Sequence, residues 1–197
     1  MPAPMEVVAS PLTIYLAPVG FAFPAINAVP IVTSGWAKLG TAGTNNYDGS
    51  GVTVSHSETV DNFVPAGSTM PTKQFRTAES FEIKLNLVDV SPTQYAKVMN
   101  DATVTTVAAS AGVAGQSWFS LFRGINVNSF AVLARGQSSV DNALTLQYEF
   151  SKAFVSVNGD VVWNKGTPAM LPVSILAVRA SDSDVMVCRI QTAVPTS

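Results

Sequence analysis

Alternation with a period of two constrains this chain more than any other feature. Across residues 79–89, Phe81, Ile83, Leu85 and Leu87 alternate with Glu82, Lys84 and Asn86. Successive side chains of a strand point to opposite faces, so this spacing sets one apolar face against a core and one polar face outward. Residues 143–155 repeat the pattern. Leu144, Leu146, Tyr148, Phe150 and Phe154 form the apolar set, and Thr145, Gln147, Glu149 and Ser151 the polar one. A third strand spans 52–60, with Thr53, Ser55, Ser57 and Thr59 on its polar face. Shorter strand patterns cover 12–19, 118–123, 130–135, 171–179 and 185–191.

One helix accompanies the strands. Ser91 suits an N-cap, Pro92 the first helical position, and Gln94 falls where a capping box places its partner. Tyr95, Val98 and Met99 then share a face, and the helix is expected to end near Asn100. The predicted fold is mainly β: an antiparallel β-sandwich or barrel with one flanking α-helix. Asn158-Gly159 lies between β-branched runs and predicts a tight hairpin turn within 154–163. Residues 181–184 are expected to turn a last hairpin between 171–179 and 185–191. Two stretches lack alternation. Residues 61–76 contain Pro65, Gly67 and Pro71 and read as a long loop between strong strands. Residues 103–116 show only weak preferences. No internal repeat or linker divides the 197 residues, so a single domain is expected, with an N-terminal arm over about 1–10 and a short tail over 193–197.

Charge is sparse. Charged residues make up 12% of the chain, against about 25% in an average soluble domain. A surface with half the usual charge either exposes neutral side chains or is hidden in an assembly. The net charge of −2 and the scattered basic residues argue against a groove that grips nucleic acid. Lys38, Lys73, Arg76 and Lys84 come nearest to a cluster, and Glu79 and Glu82 sit among them. No run of 18 apolar residues exists, so no transmembrane helix is expected. The first basic residue is Lys38, and Pro18, Pro24 and Pro30 break the apolar N-terminal stretch. This is not the pattern of an export signal, so a cytoplasmic product is expected.

Catalytic chemistry is thinly provided. His56 is the sole histidine, and adjacent strand residues Ser55 and Ser57 face away from it. Cys188 is the sole cysteine, which excludes a disulfide framework, and it reads as a small buried hydrophobe. Asp141, Asp160, Asp182 and Asp184 each lie beside a turn signal, where Asp is common. Asn164-Lys165-Gly166-Thr167 lacks the preceding glycines of a phosphate loop. No catalytic residue, metal or cofactor is expected, and the chain reads as structural.

One order of segments is similar to a known family. Ser34-Gly35-Trp36-Ala37-Lys38-Leu39-Gly40 is followed by the strand 52–58, a long loop through Pro71 to Phe75-Arg76-Thr77-Ala78-Glu79, the strand 81–87 and a helix opening at Ser91-Pro92. This resembles the major tail tube proteins of long-tailed, siphovirus-type bacteriophages over roughly residues 30–102. The resemblance implies a hexameric ring in which an inner sheet from each copy joins one ring-wide β-barrel. Rings stack into a tube, part of the virion, that passes double-stranded DNA without binding it specifically. Expected partners are further copies of the chain, a tape measure protein, a tail terminator and baseplate or tip proteins, with no membrane insertion. By position, Pro65, Gly67, Met70, Pro71, Lys73, Phe75 and Arg76 belong to the loop that bridges rings. The polar sets Thr53, Ser55, Ser57, Thr59; Glu82, Lys84, Asn86; and Thr145, Gln147, Glu149, Ser151 are the candidate lumen-facing residues. With four inner strands per copy, a barrel of about 24 strands has a backbone diameter of roughly 48 Å, wide enough for duplex DNA. Other β-rich assembly proteins share this logic: a tail terminator, a decoration protein, or a tube subunit of a contractile tail or type VI secretion system. A carbohydrate-binding β-sandwich using Trp36, Trp118 or Trp163 is a further alternative, and a carboxylate hydrolase using Glu58 and Glu149 another.

Overall fold

The computed structural model describes residues 11–28, 35–41, 46–100, 102–122, 124–137, 144–179 and 186–192. The expected terminal arm 1–10, the tail 193–197 and the 181–184 turn lie outside the described residues. The strands are β1 (Thr13–Pro18), β2 (Ala37–Lys38), β3 (Tyr47–Phe63), β4 (Lys73–Leu87), β5 (Thr105–Val107), β6 (Gln116–Trp118), β7 (Phe130–Gln137), β8 (Thr145–Val157), β9 (Leu171–Ala177) and β10 (Met186–Ile190). The helix α1 spans Pro92–Val98. The fold is mainly β with antiparallel pairing and one helix, as the alternation predicts.

The main sheet runs β2-β1-β7-β8-β9-β4-β3, and β10 pairs with β8. The N-terminal half of β8 lies between β7 and β10, with Tyr148 opposite Ala134 and Cys188. Its C-terminal half pairs with β9, through Ala153↔Ala177 to Val157↔Val173. One strand therefore serves two layers, whose apolar faces meet. Phe81 of β4 lies 6.3 Å from Phe150 of β8, ring centre to ring centre. Ile14, Leu16, Ile83, Leu85, Leu87, Val132, Phe150, Val173 and Ile175 form the shared core.

The join needs a local break in alternation. Val132 opposes Phe150 but Phe130 opposes Ala153, so Ser151 and Lys152 together face Ala131. This is a β-bulge, and it exchanges the two faces of the strand beyond it. Ala153 and Val155 enter the core, and Phe154 is turned to the polar face opposite Leu176. The expectation that Phe154 shares a face with Phe150 is corrected by this bulge.

The helix begins at Pro92 with Ser91 extended (φ −62°, ψ 149°), but the Ser91 side chain makes no capping bond. Gln94 does not reach back to form a capping box. Its Oε1 accepts from the Gly40 amide at 2.9 Å, tying α1 to the segment after β2. Val98 is buried in the core, and Asn100 ends the turn in the left-handed region at φ 64°.

Four further expectations change. Residues 61–76 are not a long loop: β3 and β4 remain paired out to Phe63↔Lys73, leaving only 64–72 as a tip. Asn158-Gly159 does not make a two-residue hairpin. The Asn158 amide donates to Pro172 O at 3.1 Å, and residues 158–170 connect β8 to β9. β9 and β10 share no register among the described residues, since each pairs with a different half of β8. Cys188 is exposed, because its strand β10 is a sheet margin. Of the three tryptophans, Trp36 is a buried anchor at 1% exposure, while Trp118 and Trp163 are exposed.

The bulge makes a prediction about two phenylalanines four residues apart. Phe150→Ala is expected to cost about 3–5 kcal/mol in urea unfolding, as a large core truncation. Phe154→Ala is expected to cost about 1 kcal/mol or less, as a change away from the core. Equal costs would contradict the exchange of faces.

Candidate assembly surfaces

A continuous polar face crosses β3, β4, β9 and the C-terminal half of β8. On it Lys84 sits between Thr53 and Ser174, and Glu82 between Ser55 and Leu176. Asn86 adjoins Pro172, and Ser156 adjoins Ser174. Ser57 and Thr59 continue the row along β3. These seven candidates, Thr53, Ser55, Ser57, Thr59, Glu82, Lys84 and Asn86, thus share one face of the sheet. Ser156 and Ser174 belong to it too and were missed. Ser156 is hidden from strict alternation by the bulge, and Ser174 sits in a short, mostly apolar strand.

The charges on this face are internally balanced. Lys84 Nζ lies 2.9 Å from Glu82 Oε2, and Ser174 Oγ donates to Glu82 Oε1 at 2.6 Å. The Ser174 hydroxyl, and then Lys84, hold the Glu82 carboxyl below its usual range. Nearby, Asn86 Nδ2 donates to Asp48 Oδ2 at 3.0 Å, and this bond, with those from Ser50, lowers Asp48 as well. A shallow cleft of about 150 Å³ opens here, lined by Ser50, Thr53, Lys84, Asn86, Asn158 and Ser174.

The remaining polar set behaves differently. Gln147 and Glu149 are 0% and 1% exposed, so they do not present a surface. Their face of β7 and β8 is covered by the irregular segment 22–28. Gln147 Nε2 donates to Pro24 O at 3.1 Å, Arg135 donates to the carbonyls of Ile26 and Ala28, and Trp36 Nε1 donates to Ala22 O at 3.2 Å. Glu149 Oε1 accepts from Gln147 Nε2 and from Arg189 Nε of β10, both at 2.6 Å. Gln147 and Glu149 are therefore withdrawn as lumen-facing residues. Thr145 is half-buried at the start of the same covered face, and Ser151 is half-buried in the bulge. Lys84 is offset by Glu82, and Glu149 is engaged elsewhere.

Two projections leave the sandwich. The first is the outer part of the β3–β4 hairpin, where Phe63 and Phe75 share a face with Asp61 and Lys73 and are each 53% exposed. Met70 at the tip is 72% exposed; Gly67 adopts φ 90°, and Ser68 Oγ bonds Met70 O. Pro65 and Pro71 flank this turn, and Arg76 Nε pairs with Glu58 Oε2 at 2.7 Å across the hairpin. At its base the His56 ring stacks on Phe81, 4.4 Å apart and 3° from parallel, with Nε2 3.0 Å from Glu79 Oε1. The second projection is the excursion 102–128, which carries the small β5–β6 sheet. Its role was not legible, since short weak strands give no alternation.

Among the described residues no group of three or more His, Cys, Asp or Glu side chains is placed to hold a metal ion. Glu58 and Glu149 are not brought together: Glu58 pairs with Arg76 on the exposed hairpin, and Glu149 is sealed beside Arg189. No helix among the described residues is long and apolar enough to cross a membrane. No protein-family profile matches the chain, and no curated protein is significantly similar to it.

Two measurements check this account. A carboxyl whose folded pKa is depressed stabilises the fold above its unfolded pKa, and that contribution is lost as pH falls through the folded value. Ser174→Ala is expected to raise the Glu82 pKa toward the ordinary range and shift the acid-unfolding limb to higher pH. Carboxyl NMR titration reads this directly, and an unmoved Glu82 would refute the assignment. Arg189→Ala leaves the buried Glu149 carboxylate with one fewer partner and is expected to lower the midpoint of urea unfolding. An unchanged midpoint would mean that the pair contributes nothing to the fold.

Proposed function

We propose that this chain is a structural subunit of a phage tail tube, assembling as stacked hexameric rings around a channel for DNA. One observation carries the reading. β3 is 17 residues long and, among the described residues, pairs on one side only, with β4. A long strand with an unpaired edge is a template for pairing with another chain, and natural monomers blunt such edges with charge, Pro, bulges or cover. Over 52–57 β3 carries no Asp, Glu, Lys, Arg or Pro and pairs with β4 without a register shift. Pairing in a closed ring removes the edge.

Other features agree with this reading. The polar face spans four adjacent strands, β8-β9-β4-β3, the number of inner strands the resemblance implies. Beyond Ala153, β8 pairs with β9 but no longer with β7, so among the described residues this four-strand unit has a second unpaired edge where the next copy's β3 is able to join. The face carries Thr, Ser, Asn, one balanced Lys–Glu pair and, among the described residues, no unpaired cation, with Asp48 beside Asn86 and the apolar pair Phe154 and Leu176 at the β8–β9 end. Such a wall neither condenses on phosphates nor releases counterions, so it passes DNA without holding it. The exposed apolar side chains on the hairpin are suited to contact between rings. The tape measure, terminator and tip proteins belong to the proposal as partners, the virion as its location, and the host cytoplasm as its place of assembly.

Electron microscopy of the purified chain is the test. Rings or open-ended tubes with a central channel are expected, and the double variant Phe63→Asp with Phe75→Asp is expected to give rings or monomers of unchanged circular dichroism but no tubes. Monomers alone at high concentration, with no partner able to start polymerisation, would overturn the reading.

A further inference from the structure

The excursion 102–128 is built as an arm with a closed neck. Asn100 Nδ2 donates to Asn126 O at 2.9 Å, and the Asn128 amide and side chain donate to Asn100 Oδ1 and O at 2.6 and 2.9 Å. Phe119 rests edge-on against Tyr95 of α1, 5.2 Å between centres. Within 102–128 the sequence holds a single charged residue, Arg123. Ile125 is 97% exposed and Phe122 87%, followed by Leu121, Val127 and Trp118. Large side chains bury about 150–250 Å² when fully covered, so the exposed parts come to on the order of 700 Å². Summed over these separate side chains, that approaches the roughly 800 Å² each partner gives to a standard interface.

The same molecule carries a cleft lined largely by apolar side chains. Its volume is about 220 Å³, and His56, Phe81, Tyr148, Phe150, Met186 and Cys188 are among its lining residues. A closed apolar cavity of about 150 Å³ accepts benzene, so this cleft has room for one aromatic ring. Its walls are themselves aromatic, which favours an incoming ring in edge or offset contact. No residue of the arm lines it.

We propose that the arm of one copy docks on a second copy, with the Phe122 ring seated in the cleft between β3–β4 and β8–β10. A knob and a matching slot on different parts of one molecule make a heterologous contact, which propagates into rings or filaments instead of closing as a dimer. The partner is a second copy because both halves of the contact are present in one chain and both are apolar. The proposal names a contact within the assembly proposed above and rests on that reading only for the final shape.

Cys188, exposed and on the wall of the cleft, supplies the probe. Leu121→Cys, which keeps the Phe122 ring, is expected to give a ladder of intermolecular disulfides on non-reducing gels when oxidised under assembly conditions. The ladder should vanish with added Cys188→Ser and exceed that of a Thr59→Cys control at least tenfold. Phe122→Asp should raise the rate of Cys188 alkylation in concentrated protein to that of dilute monomer. Cross-linking no better than the control, or alkylation unaffected by concentration and by Phe122→Asp, would overturn the proposal. So would protection of Cys188 that appears only when a different protein is added. Tubes without the specific cross-link would sink this contact and leave the tail-tube reading standing. A specific ladder without rings or tubes would do the reverse.

Discussion

β8 is the strand on which the architecture depends. It pairs with β7 and β10 through its first half and with β9 through its second, so it belongs to both layers. A strand of strict alternation cannot keep its apolar side on the core through such a passage without carrying the wrong residues inward. The bulge at Ser151 and Lys152 resolves this by letting two residues oppose Ala131. Phe150 before it and Ala153 and Val155 after it then meet the same core. Without the extra residue, Phe154 would face inward and the small Ala153 would be wasted on the outside.

The same passage divides the polar side of the sheet into two regions of opposite fate. Over β3, β4, β9 and the end of β8 the polar face is open and satisfied by short side-chain contacts such as Ser174 to Glu82. Over β7 and the start of β8 it is covered by a segment without regular structure. An irregular backbone laid on a sheet brings carbonyls that need donors. Arg135, Gln147 and Trp36 supply them, which explains why polar side chains lie beneath a cover. Glu149 then ties this region to the margin strand β10 through Arg189.

These two regions mark how far the sequence alone was legible. Period two located β1, β3, β4 and β7–β10, because one face of each meets a core and the pattern records it. It identified Thr53, Ser55, Glu82, Lys84 and Asn86 as one face for the same reason. It did not separate Gln147 and Glu149 from them, since a polar residue reads alike whether water or a distant carbonyl answers it. The outer β3–β4 hairpin was read as a loop because both its faces are exposed in the subunit, so no burial imposes alternation on residues 61–76. Phe154 was misplaced because a bulge leaves no mark in hydrophobic pattern beyond a change of phase, which Phe150 and Ala153 give only in hindsight of pairing.

Pairing along an edge and docking of a side chain are different kinds of contact, and an assembly of this chain has use for both. Backbone pairing at β3 is indifferent to side chains, and its outer residues, Thr, Ser and Asn among them, tolerate a slip of register. Edge pairing alone therefore gives adhesion without a defined geometry. An aromatic knob in a fitted cleft admits one position and excludes its neighbours, so it pins the register that the strands leave open. The low charge of the chain agrees with the assembly proposed. In that assembly specificity would be carried by shape and by backbone, and a charge-rich surface would oppose the close approach that each requires.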